Sequence, residues 1–129
     1  ERKERKKEKE KKGAGKTSPI LLQFLDCVFQ IHTQLPTAFE FAPSLLLHLA
    51  FHATSGRFGT FLFDCERERE VGMVALRTHS LFAHLLAEQD SHRNHEYAHP
   101  PLLLCPRPHK RDLCLWEAFH LETHGGQLH

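Results

Sequence analysis

Between residues 18 and 40 the apolar and polar positions separate at steps of three and four. Leu21, Phe24, Leu25, Val28, Ile31, His32 and Leu35 form one stripe, and Gln23, Asp26, Gln30 and Thr33 form the opposite one. That period predicts an amphipathic helix of about four to five turns, with one face needing cover. Ser18 can cap the free first-turn amides, Pro19 suits the first helical position, and Pro36 ends the run. A second helix is predicted over residues 43–54. Leu45, Leu46, Leu47, Leu49, Ala50 and Phe51 place apolar groups on nearly all its sides, as in a helix surrounded by protein. Ser55-Gly56 supplies a left-handed stop.

Later elements are shorter. Phe58–Phe63 reads as a compact extended piece, and Cys65–Glu70 as a charged turn capped by Asp64 and facing water. Val71–Leu76 is apolar without a clear period. A third helix is expected over 79–88, capped by Thr78, with Leu81, Phe82, Leu85 and Leu86 on one side. Residues 89–101 read as a polar, histidine-rich linker and Leu102–Leu104 as a short buried strand. A last helix over 112–121 presents Leu113, Trp116 and Phe119 to a core.

Charge changes the picture only at the start. Residues 1–16 hold nine Lys/Arg against four Glu, whereas the remainder has eight Lys/Arg against twelve Asp/Glu. Residues 1–12 contain no apolar side chain, so they read as a solvated leader, with no aromatic residue to stack a base and no nucleic-acid partner implied. Gly13-Ala14-Gly15-Lys16-Thr17 mimics the end of a phosphate-binding loop, but Glu10 stands where the pattern needs glycine and a charge run stands where it needs a strand. No apolar run is long enough to span a bilayer. Cys27, Cys65, Cys105 and Cys114 show no disulfide spacing, which suits reduced thiols in a cytosolic protein.

Several of these stretches together resemble a known family. Ser18-Pro19, Leu22–Val28 and Gln34–Phe41 are similar to the later part of a myotubularin-type phosphoinositide phosphatase domain. The likeness continues through Phe58–Leu62, Glu66–Glu70, Arg77–Leu81 and, more faintly, Leu113–Glu117. It covers roughly residues 18–121. The chain departs from the family pattern at Ala42-Pro43, where a polar cap and Glu are usual, and at Phe29 and Phe82, where Trp is frequent. Related chains often read Asn-Pro-Leu-Tyr where this one reads Asn94-His95-Glu96-Tyr97.

Three candidate chemistries remain. Cys105-Pro106-Arg107-Pro108-His109-Lys110-Arg111 has the cysteine–five–arginine spacing of a cysteine phosphatase. Such a loop works by pointing backbone amides at phosphate. Here two of the five intervening residues are proline, which has no amide hydrogen, and none is glycine. His92, His95, Cys105 and His109 could form a zinc site, and His48 with His52 sits at a metal-clamping spacing on one helix. Asp26 and Glu40 are the acids of the specific stretch and read as structural, Glu40 with a capping role at the next helix start.

The expected fold is mostly α, a helical C-terminal fragment of a larger α/β cysteine-phosphatase-like domain. Residues 1–17 form the leader, 18–121 the partial phosphatase domain, and 122–129 a loose tail. By resemblance, the parent removes the 3-phosphate from phosphatidylinositol 3-phosphate or 3,5-bisphosphate at cytosolic membrane faces, or is the inactive partner of such an enzyme. The resemblance carries over no catalytic, cofactor-binding or metal residue, because the family's nucleophilic cysteine and phosphate-gripping arginine lie upstream of the matched region. Its partners would be the remainder of the domain, another myotubularin-type subunit, and the phosphoinositide membrane reached through the parent. Two alternatives stand beside this one: a zinc-stabilised interaction module on residues 92–109, and a stand-alone phosphatase using Cys105.

Overall fold

The computed structural model describes residues 19–100 and 102–125. Ser18 and the Gly13–Thr17 stretch lie outside the described residues. Within them the protein is mostly helical, with no strand; Phe41 and Arg93 form an isolated antiparallel bridge. No helix among the described residues is long and apolar enough to cross a membrane.

Helix α1 spans Ile20–Gln34. Pro19 stands just outside in helical geometry and its carbonyl accepts the first helical bond from the Gln23 amide at 2.9 Å. The buried stripe is rotated from the expected one. Leu25 and His32 are its centre, flanked by Leu21, Leu22, Val28 and Phe29, while Phe24 remains 60% exposed. Helix α2, Pro43–Ser55, packs across α1 and ends at Gly56, whose φ of 65° is the left-handed stop. Its Leu46 and Ala50 join Leu25 and Trp116 in the main core. Phe51 faces outward, so α2 is not enclosed on all sides as its composition suggests.

The Phe58–Phe63 piece is a 3₁₀ turn, Gly59–Phe61, rather than an extended one. Gly59 is buried there, and a Cβ at this position would overlap Thr78 Oγ1 and come within 2.7 Å of Val74 Cγ1, so no larger residue fits without a shift. The charged run forms helix α3, Glu66–Val71, with its acids exposed; Arg69 instead turns inward and donates to the carbonyls of Gly59 and Leu62 at 2.9 and 2.7 Å. A single helical turn, α4 (Val74–Arg77), follows. Helix α5 spans Leu81–Ala87, and Ser80, not Thr78, sits at its N-cap. Thr78 bonds back to Val74 O. Leu81, fully buried, packs with Leu85 and Phe58 in a second core, but Phe82 and Leu86 point outward. Burying Leu81 contributes roughly 2 kcal/mol relative to leaving it exposed.

Beyond α5 the expected linker is tied down. It opens with a 3₁₀ turn, Gln89–His92, that seats His92 in the interior. Leu102 and Leu103 are exposed and form no strand. Three apolar residues in a row cannot make a strand without a neighbouring edge to pair with, and none is present among the described residues. Helix α6, Glu117–Gly125, begins later than expected, and Leu113 is exposed. Trp116 is buried between Phe29 and Phe119, stacked at 5.1 and 5.2 Å. Phe29 thus keeps the aromatic packing that its position requires.

Candidate functional site

The Cys105–Cys114 segment lies along the polar side of α1, held by two glutamines one turn apart. Gln34 accepts from the Arg107 amide at 2.7 Å and donates to the Arg107 carbonyl at 3.1 Å. Gln30 does the same for Cys114, accepting at 3.0 Å and donating at 2.7 Å. Each side-chain amide thus imitates a strand neighbour. The Arg107 amide is spent on Gln34, the Arg111 amide on His109 Nδ1, and the Asp112 amide on the His109 carbonyl. Pro106 and Pro108 have no amide hydrogen. Cys105 is exposed, and Arg107, inside the loop, pairs at 3.5 Å with Asp112. All four cysteines are free, exposed thiols.

The zinc candidates are not gathered. His92 is buried against α2, whereas His95, Cys105 and His109 are exposed, and among the described residues no group of three or more His, Cys, Asp or Glu could hold a metal ion. His48 and His52 lie with ring centroids 6.2 Å apart, and each Nδ1 is already engaged, with Ser44 O and Ser55 Oγ respectively. Asp26 is exposed and accepts from Gln30 Nε2 at 3.2 Å. Glu40 is exposed, and α2 starts without a side-chain cap, so Glu40 does not fill that role.

An open groove of about 860 Å³ lies between the Glu40–Phe41 connection, α5 and the turn after it. Phe82, Leu85 and Leu86 give it an apolar wall; Glu40, Asp90, Arg93 and Asn94 give it a polar one. Its frame is built by backbone bonds that the pattern of the sequence did not show. The Ala42 amide donates to the His92 carbonyl at 2.8 Å and the Asn94 amide to the Glu40 carbonyl at 2.7 Å. The Asn94 side chain donates to Pro36 O at 2.7 Å and Phe39 O at 2.8 Å, and its Oδ1 accepts from the Glu96 amide at 3.1 Å. The one legible sign of this was Asn94 itself, the first residue of the family's four-residue stretch and, with Tyr97, one of the two this chain keeps. His32 Nε2 lies 2.9 Å from Phe41 O and its ring stacks on Phe39, which fixes the other side of the same connection.

Behind the groove, imidazoles run in series. His92 meets His48 edge-on at 4.7 Å, His52 meets Phe58 edge-on at 4.8 Å, and Phe58 stacks on His84 at 5.2 Å. Burial, reinforced by the neighbouring His48, holds the His52 and His92 imidazoles below their ordinary pKa.

A family model described as a myotubularin-like phosphatase domain matches residues 1–70. The chain is 40% identical to myotubularin of Xenopus tropicalis over 105 residues, which is 81% of this chain and 17% of that protein. It is 42% identical to myotubularin-related protein 9-like of Bos taurus over 106 residues, 81% of this chain and 20% of that one. It is 42% identical to human phosphatidylinositol-3,5-bisphosphate 3-phosphatase MTMR8 over 80 residues, 62% of this chain and 11% of the relative. The chain therefore spans a fifth or less of the length of these relatives.

Proposed function

Since this chain belongs to the myotubularin-like phosphatase family, we propose that it is the supporting helical segment of a phosphoinositide 3-phosphatase domain, or of an inactive partner of such an enzyme. The observation that carries this reading is the outward apolar surface on a chain that matches its relatives over only a fifth or less of their length. Ile20 and Phe24 on α1, Leu76 on α4, and Phe82 and Leu86 on α5 are all more than half exposed. A surface this apolar calls for protein cover, and the remainder of the domain is the partner that would supply it.

On this reading, residues 18–121 brace chemistry performed elsewhere. A cysteine thiolate would attack the 3-phosphate phosphorus of phosphatidylinositol 3-phosphate or 3,5-bisphosphate, the inositol oxygen would leave, and water would hydrolyse the phosphocysteine. Against Cys105 as that thiolate stand Pro106 and Pro108, which have no amide hydrogen, and the Arg107 and Arg111 amides, which Gln34 and His109 take up. The assembled protein would work at a cytosolic membrane face, paired in some cases with another myotubularin-type subunit. The zinc-module alternative has no geometric support in the described residues.

Grafting tests the reading. Residues 18–121 replace the matching segment of MTMR8, and release of phosphate from phosphatidylinositol 3,5-bisphosphate is followed. The graft is expected to retain activity where deletion of the segment abolishes it. The isolated chain is expected to release none. Turnover by the isolated chain that Cys105→Ser abolishes would overturn the proposal, as would a graft no more active than the deletion.

A further inference from the structure

The imidazole series behind the groove is also the joint between the Gln89–His92 turn and α2. Ser44 Oγ donates to Ser91 O at 3.4 Å and lies 3.0 Å from His92 Nδ1. His92 Nε2 is buried with no hydrogen-bond partner. A doubly protonated ring would therefore place a charge and an unsatisfied Nε2 donor in the interior.

The surroundings offer that charge little relief. From α2, His48 faces His92 and also approaches His52. Arg57, just beyond α2, and His84, on α5, bear on His52 with the same sign. Glu88 is the carboxylate that favours a protonated His92, but its Oε2 already lies 3.8 Å from His84 Nε2. Asp90 and Arg93 of the turn and Glu40 of the facing connection line the open groove with opposite charges.

We propose that His92, seated against Ser44 and His48, is an acid-labile clasp, which holds the 89–94 turn against α2 while its imidazole is neutral and releases it when the ring takes up a proton. Release would break the Ala42–His92 and Glu40–Asn94 backbone bonds and free the Asn94 side chain, opening the polar wall of the groove. The sign follows from linkage. An imidazole held below its ordinary value of 6.5 binds fewer protons docked than released, so docking is at full strength above that value and weakens as pH falls below it.

Hydrogen exchange of the full chain between about pH 7.5 and 5.5, corrected for intrinsic rates, reads this directly. Protection of the Ala42 and Asn94 amides should fall by about tenfold per pH unit for each proton taken up on release, while that of Gln23 on α1 falls less. His92→Gln keeps an amide toward Ser44 but cannot titrate, and should flatten the dependence. Because that variant could also loosen the turn, the imidazole carbon-bound protons of His92 are followed in the unaltered chain by NMR. They should titrate below the ordinary value and in step with the loss of Asn94 protection. Titration of His92 at its ordinary value with the turn still protected, or protection that does not change with pH, would overturn the clasp.

Discussion

Asn94 offers the sharpest test of how the chain holds its own middle together. Its side chain is a three-way joint: two donated bonds to the Pro36 and Phe39 carbonyls and one accepted from the Glu96 amide. The Pro36 and Glu96 bonds lie on the exposed side, where water replaces a lost partner, so each contributes at the low end of the usual range, about 0.5 kcal/mol. The Phe39 carbonyl is partly buried and loses more, about 1.5 kcal/mol. Asn94→Ala is therefore expected to cost about 2.5 kcal/mol of stability. Urea unfolding followed by the fluorescence of Trp116, the single tryptophan and a buried one, measures it. Asn94→Asp sharpens the result. It has the same shape and keeps the acceptor, but it loses both donors and sets a carboxylate against two carbonyl oxygens. It should cost at least as much as the alanine. An aspartate variant as stable as the parent would refute the clamp outright. An alanine cost below about 0.5 kcal/mol would show that water replaces all three bonds.

Other substitutions probe the remaining joints. Gly59→Ala drives a Cβ into Thr78 Oγ1, which its bond to Val74 O keeps from swinging away, and should cost about 2–3 kcal/mol in the same unfolding assay. Leu81→Ala empties the centre of the second core and should cost about 3 kcal/mol, measured as a lower urea midpoint with an unchanged slope. Gln30→Ala should speed exchange at the Cys114 amide by about tenfold, whereas Gln23→Ala on the same stripe should leave it unchanged.

The sequence by itself determined the helical elements that have a long period or a strong stop. The apolar stripe between Pro19 and Pro36 predicts α1 nearly to its ends, and Ser55-Gly56 predicts the end of α2, because caps, prolines and a left-handed glycine act within a few residues. Trp116 and Phe119 were legible as core, and so was the family to which the segment belongs. Only the tertiary structure decided what the polar positions do. Gln30 reads as part of a wet face, yet with Gln34 it holds a segment more than seventy residues away. His92 looks like linker, yet it is buried against α2, and Phe24, Phe82 and Leu86 look like core yet face outward. Side-chain spacing along one helix fixes which residues share a face. Which part of that face meets another element, and which polar group finds a backbone partner there, depends on chain segments brought together from far apart.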